Sequence, residues 1–297
     1  MKHLSFRFAA AVLVLLVAGA CGLARGGTGG EADSADPAVP GFGASPTLVR
    51  DPDHSYRVVN LHSFNGRPGG SVDIYPVVES NLGALGSSAA PIATDLGYGQ
   101  VSEPLPPGGI TGAFGAPTYG LAVRPHNPTE PGSANLSISI TDTSHKPWQR
   151  GLVVLGGTGN GLQSQTFYDS TGPDEPNPVP ASVPGKISLM IDGQHTSESS
   201  TFLLAGTAAG CVKGDHESGG ATAVNQNAKL VQVTLDAGVS SIGFWRTNDF
   251  DFTASTCSGP PVFSVPLAGL TAGSRAIVFA YGPDDQHLAG LMVPIDG

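Results

Sequence analysis

Acidic turns, scattered histidines, a few aromatics and three cysteines are the residues of this chain whose types and spacing could do chemistry. Asn248-Asp249-Phe250-Asp251 puts Asp249 and Asp251 on one side of an extended loop, and Gly282-Pro283-Asp284-Asp285 adds a second acidic turn. Hard cations such as calcium favour such oxygen ligands, but Asp and Gly also dominate turns that bind no metal, and that plainer reading is preferred. The chain contains no G-x-S-x-G elbow, so no serine nucleophile is marked by its local sequence. It has no H-E-x-x-H and no paired cysteine spacing suited to zinc. His54 and His62 flank an apolar stretch, and His216 lies within Asp215-His216-Glu217, which reads as a solvated loop. Tyr75, Tyr98, Trp148 and Trp245 could contact a glycan or a protein, against packing as their default use. Asn135-Leu136-Ser137 is a glycosylation sequon, relevant only in a glycosylating host. No catalytic residue and no cofactor is assigned.

Cys21 has a different meaning. Lys2 and Arg7 precede an uninterrupted apolar or small run from Phe8 to Ala20, too short to span a bilayer comfortably. The run closes on Ala18-Gly19-Ala20, which suits a cleavage site, and VAGAC resembles a bacterial lipobox whose Cys is acylated. Ala18 stands where that motif usually has Leu; the competing reading is ordinary cleavage after Ala20 with no lipid. The expectation is a signal peptide over residues 1–20, an acylated Cys21, and a location at the outer face of the cell membrane, otherwise extracellular. With Cys21 committed to lipid, Cys211 and Cys257 remain, and an exported chain meets oxidising conditions. A Cys211–Cys257 disulfide is therefore expected, closing a separation of 46 residues.

Composition sets the outer bounds. Only 13% of residues are charged while 40% are hydrophobic, which argues for a folded chain, and Gly 42 and Pro 25 argue for many turns between short strands. Removal of residues 1–20 takes away Lys2 and Arg7, moving the net charge from −10 to −12. An acidic chain with five lysines is a poor nucleic-acid partner and is repelled by anionic headgroups, so the membrane is expected to be met only through the N-terminal lipid.

The elements that must position these residues read as strands. Residues 22–53 are Gly-, Ala-, Asp- and Pro-rich and form a spacer. Tyr56 to His62 is a buried strand; in SVDIYPVV, Val72 and Ile74 share a face; in NLSISIT, Leu136, Ile138 and Ile140 alternate with Ser137, Ser139 and Thr141. Arg150 to Asp169 reads as a hairpin opened by Arg and closed by Asp, and Arg275 to Asp296 repeats that form. Between them Asp169 to Gly185 holds five prolines and reads as a stiff linker. In KLVQVTLDAG, Val231, Val233 and Leu235 share a face. Helical periodicity is absent outside the signal. Leu105 aligns with Leu235, Arg124 with Arg246 and Arg150 with Arg275, at offsets of 130, 122 and 125 residues, which argues for a duplicated unit.

At these residues the chain resembles a family of bacterial secreted domains known as domain of unknown function 4397. The resemblance rests on Arg57-Val58-Val59, Ser63, Val72-Asp73-Ile74-Tyr75, Tyr98-Gly99-Gln100-Val101-Ser102 and Leu105 to Gly108. It covers Tyr56 to Asp169 and, more thinly, Lys229 onward, where the opening strand lacks V-D-V-Y. In the first half one extra residue separates Val59 from Ser63, the stretch between Phe64 and Ser71 differs, and Pro replaces Ala in the turn after Leu105. The resemblance implies an extracellular β-sandwich, often in tandem and often surface-anchored, with no activity to carry over.

The resulting expectation is an all-β chain of two tandem immunoglobulin-like antiparallel β-sandwich domains behind a signal peptide and flexible spacer. The spans are 1–20 for the signal, 21–54 for the lipid-attachment Cys and spacer, 55–170 for the first domain, 171–184 for the linker and 185–297 for the second domain. The expected role is a non-enzymatic surface binding or structural module for a cell-envelope protein or glycan. An extracellular hydrolase of envelope polymer and a calcium-dependent adhesion module are the alternatives.

Overall fold

The computed structural model describes residues 46–86, 89–111, 117–129, 138–142, 150–157, 163–169, 179–195, 202–212, 223–224, 231–247, 257 and 259–296. All of them belong to one compact unit, Gly43–Gly297. The chain runs through β1 (Thr47–Arg50), β2 (Ser55–Asn60), β3 (Ser63–Phe64), β4 (Arg67–Pro68), β5 (Val72–Tyr75), α1 (Glu79–Leu85), β6 (Ala93–Leu96), β7 (Gln100–Val101), β8 (Gly108–Thr111), β9 (Tyr119–Pro125), β10 (Ile138–Asp142), β11 (Arg150–Gly156) and β12 (Gln163–Asp169). It continues through β13 (Lys186–His195), β14 (Phe202–Thr207), β15 (Gly210–Cys211), β16 (Ala223–Val224), β17 (Val231–Asp236), β18 (Ser241–Thr247), β19 (Phe263–Pro266), β20 (Arg275–Gly282) and β21 (Ala289–Pro294). Among the described residues no helix is long and apolar enough to cross a membrane.

The fold is an all-β sandwich arrangement. β1-β8-β9-β5-β6, with β10 beside β9, forms a first outer sheet, and β12-β11-β2-β7 a first inner sheet. β17-β13-β20-β21 forms a second inner sheet, and β15-β14-β18-β19, with β16 beside β14, a second outer sheet. No described strand of the 47–169 stretch pairs with one of the 186–294 stretch. Pairing is antiparallel except at one place in each inner sheet, where β11 lies parallel to β2 and β20 parallel to β13. Each parallel pair is possible because a long excursion through the outer sheet separates its strands in sequence.

Side chains alternate between faces along a strand, and three hydrophobic interlayers follow. Tyr56, Val58, Val153 and Leu155 meet Val72, Ile74, Leu121, Val123 and Ile140 between the first outer and inner sheets. Ile187, Leu189, Ile191, Ala276 and Val278 meet Leu203, Ala205, Ile242, Phe244 and Val265 between the second pair. The third interlayer joins the two inner sheets, with Val59, Leu61, Leu152, Val154 and Phe167 against Met190, Ile277, Phe279 and Val293. β11 and β20 are thus covered on both faces, which explains why GLVVLG and AIVFA are continuous apolar runs rather than alternating ones. Val72 and Ile74 are buried as their alternation requires, and so are Val233 and Leu235.

One of the three internal alignments is matched by the strand registers. Leu105 bridges Tyr56, whose counterpart in that register is Leu189, and Leu189 pairs with Val233, so Leu235, which pairs with Ile187, is two residues off. Arg150 and Arg275 each open the strand that runs parallel to its half's first inner strand. The Arg124–Arg246 alignment does not hold. Val123 and Phe244 both point inward, so Arg124 corresponds to Trp245, and a one-residue slip puts Arg246 on the other face.

A helix also appears where none was expected. In α1, Leu82 and Leu85 are buried on the outside of the first outer sheet, too few residues for a visible period. Its first-turn Glu79 N–H donates to Ser139 Oγ at 2.9 Å, and its carboxylate takes Arg124 Nη2 at 2.6 Å. Asn65-Gly66, with φ of 48° and 71°, forms the tight turn between β3 and β4. Of the Pro-rich segment, residues 170–178 lie outside the described residues, and Val179 is buried in the interlayer between the inner sheets.

Candidate functional site

The seam between the two inner sheets has an apolar middle and two polar ends. At one end stands Arg275, which opens β20. Its Nη1 and Nη2 donate to the Asp169 carboxylate at 2.8 and 3.2 Å, across the seam at the end of β12. Its Nε reaches both Asp296 oxygens at 3.0 and 3.2 Å, and its Nη2 also pairs with Asp296. These carboxylates raise the Arg275 pKa, its hydrogen bonds to Asp296 contributing most. The Asp296 carboxyl is held below its usual range, first by those bonds to Arg275 and in small part by the charge of Arg150.

Arg150 opens β11 as Arg275 opens β20, but it is exposed. Arg57, on the seam face of β2, donates from Nη1 to the Pro294 carbonyl at 3.2 Å and from Nε to the Ser102 carbonyl at 3.4 Å. Beside these arginines the seam opens into a cavity of about 200 Å³. Leu152, Phe167, Val179, Val293 and Ile295 supply apolar walls from both sheets, while Arg57, Arg150 and Asp169 supply charge. Ser55 is the one hydroxyl side chain among the lining residues, and none of them is His or Cys.

At the other end Asp192 lies on the seam face of β13 with Met190 and is 5% exposed. Burial pushes its pKa up to about 6, partly opposed by hydrogen bonds from Gln194 and from the Gly193 backbone. Gln194 Nε2 donates to Asp192 Oδ2 at 2.8 Å and also reaches Gln165 Oε1 on β12 at 3.4 Å. Tyr98 stacks edge-on against Tyr281 with ring centroids 5.4 Å apart.

The residues singled out from the sequence are spread over the molecule. Cys211 and Cys257 stand at disulfide distance, with Cα atoms 4.9 Å apart, joining edge strand β15 to Cys257, whose Sγ lies 3.6 Å from the Ala205 carbonyl on β14. Asp284 accepts from the Gln286 and His287 backbone N–H groups at 2.7 and 2.9 Å and from His287 Nδ1 at 2.8 Å, so it organises its own turn. Asp285 beside it is half-buried. Among the described residues no three His, Cys, Asp or Glu side chains group closely enough to hold a metal ion. Cys21, Asn135, Trp148, Asp215, His216, Glu217, Asp249 and Asp251 lie outside the described residues.

His54 pairs with Asp51 at 2.8 Å, and His62 is fully buried, its pKa lowered by that burial. Tyr75 lies under the Arg124 guanidinium, 5.6 Å from its ring centroid. Trp245 donates Nε1–H to the Gly259 carbonyl at 3.1 Å. A Cβ at Gly243 would come within 2.6 Å of its ring, so only glycine there lets the indole settle on the sheet. The structure brings together a different set, Arg57, Arg150, Asp169, Arg275 and Asp296. Sequence reading took the last four only as bounds of two hairpins, and Arg57 as part of a strand and of the motif that carries the family resemblance. The repeated Arg…Asp bracket was the available signal. Searched against known proteins, the chain matches no family model and no curated protein.

Proposed function

We propose that this chain is a non-enzymatic binding module of the cell surface, two immunoglobulin-like sandwiches in tandem, joined along their inner sheets and carried on a lipid at Cys21. The observation that carries the reading is the seam cavity. Both halves contribute walls to it, its charged lining is Arg57, Arg150 and Asp169, and the one hydroxyl among the lining residues has no lining histidine to activate it. Export and anchoring draw on the apolar run before VAGAC and on the Gly-rich spacer after it, which would let the folded part stand off the membrane. The partner in this reading is a protein or glycan of the envelope.

The test is capture by the full-length, membrane-extracted protein displayed on vesicles. Envelope proteins and defined glycans are offered to the native chain and to Arg150→Glu. Retention that depends on Arg150 supports the reading; chemical turnover of an offered polymer would overturn it. Intact-mass measurement of the same preparation reports whether Cys21 carries acyl chains, and an unmodified thiol there removes the anchor from the proposal.

A further inference from the structure

The chemistry of the seam cavity goes further than its presence. Resting on the binding-module reading, we propose that it is a site for a small monocarboxylate, one carboxyl group on an apolar body about the size of one side chain.

The charge balance points to a single anionic group. Among the described residues, three of the nine arginines of a chain with net charge −10 gather at this end of the seam, against two carboxylates, Asp169 and Asp296. Arg275 is spent, since its Nε, Nη1 and Nη2 all donate to those carboxylates. Arg57 uses Nη1 and Nε on backbone carbonyls, which leaves its Nη2 without a protein acceptor among the described residues. The Arg150 guanidinium is exposed and finds no hydrogen-bond acceptor among the described residues. One surplus positive charge with unused planar donors suits a monoanion, and guanidinium geometry suits a carboxylate.

The walls restrict what the anion can be attached to. Leu152, Phe167, Val179 and Val293 offer a bound group no hydrogen bond, so a polyhydroxylated body would lose its hydration without replacement. An apolar body is favoured by the area it removes from water. The cavity of about 200 Å³ equals the liquid share of roughly seven waters at about 30 Å³ each, which fits a short alkyl chain or one aromatic ring. Inorganic anions would satisfy the arginines but leave the apolar walls wet.

The experiment uses the full-length protein in nanodiscs and follows ligand-observed saturation transfer, with dissociation constants read by titration. Phenylacetate and hexanoate are compared with their neutral amides, with acetate and with inorganic phosphate. The acids should bind with constants on the order of 0.1–1 mM, as expected for ligands of about ten non-hydrogen atoms. The amides, acetate and phosphate should bind at least about tenfold more weakly, a charge-assisted bond or the apolar contact being lost. Arg150→Gln should weaken the acids by about tenfold, and Arg150→Lys should recover part of that loss.

Amides that bind as tightly as acids would overturn the carboxylate inference and leave the binding-module reading standing. Acids that bind Arg150→Gln unchanged, or fail to bind at about 10 mM, would also overturn it. If capture of envelope material by Arg150→Glu also equals that of the native chain, the broader reading loses this cavity as its site.

Discussion

Arg150 and Arg275 occupy matching places, each opening the inner-sheet strand that pairs in parallel with its half's first one, yet they have opposite duties. Arg275 is mostly buried, grips Asp296 on its own hairpin and Asp169 on the other, and so fastens one half to the other. Arg150 acts on Asp296 through its charge, has no hydrogen bond among the described residues, and is exposed at the cavity it lines. The surroundings decide the difference. Asp296 follows β21 and folds back onto Arg275, while Asp169 ends β12 and is drawn across the seam, so that among the described residues no carboxylate hydrogen-bonds Arg150. One position in a repeated form serves as a clamp, and its counterpart stays open for a ligand.

The largest effect should come from breaking the layer that both hairpins share. Phe279 is fully buried there, edge-on to Phe167 at 6.3 Å, and corresponds in place to Val154 across the seam. Phe279→Ala should cost about 3–5 kcal/mol and Val154→Ala about 2 kcal/mol in urea unfolding. Both should act on one transition seen alike by tryptophan fluorescence and by far-ultraviolet circular dichroism. Two separated transitions, with only one moved by each substitution, would show that the halves are stable by themselves.

The outer sheets differ as well. The first is backed by α1, held through Glu79 and Arg124, and the second carries the Cys211–Cys257 pair instead. Replacing both cysteines by alanine should cost about 3–4 kcal/mol on loop-closure grounds. Hydrogen exchange should rise in β14 and β15 while β5 and β9 stay protected. Equal loss of protection in both outer sheets would erase the distinction.

Much of this was legible before any coordinates. Alternation in Val72–Ile74 and Val231–Leu235 fixes the inward faces, because a strand covered on one side must alternate. The arithmetic of three cysteines led to the pair now seen at bonding distance. What was not legible is long-range. GLVVLG and AIVFA are apolar on every position because a second sandwich covers them, and no local pattern says what covers a strand. α1 owes its two turns to Ser139 and Arg124, distant residues. The cavity was missed because its walls come from β2, β11, β12 and β21, and only folding brings those together.

The seam's far end offers a test of opposite sign. Burial raises the Asp192 carboxyl to about 6, so the native state binds that proton more tightly than the unfolded chain does. Its contribution is therefore most favourable at low pH and declines as pH rises from the ordinary carboxylate range through about 6. Asp192→Asn removes the buried charge and should stabilise the protein by about 2–3 kcal/mol at neutral pH, with almost no gain at pH 4. Urea midpoints at the two pH values measure it. An unchanged pH slope in the variant would mean that Asp192 is not the group responsible.

The smallest difference bears most directly on the two arginines. Arg275→Met keeps the stem that packs at the seam but leaves Asp169 and Asp296 without their clamp; with side-chain exposures of 26% and 42%, water restores part of what is lost. The cost should be about 1–2 kcal/mol, less in high salt. Because Arg275 holds the Asp296 carboxyl below its usual range, the stabilisation is present above the unfolded carboxylate pKa and fades as pH falls through the folded one, so Arg275→Met should also flatten the acid limb. Arg150→Met, with no hydrogen bond to lose among the described residues and an exposed side chain, should stay within about 0.5 kcal/mol of the native chain at every salt concentration. Thermal and urea unfolding of the two variants side by side decides the matter. If Arg150→Met costs as much as Arg275→Met, both arginines are clamps, and the donors argued to await a carboxylate at the cavity rim are already used by the fold.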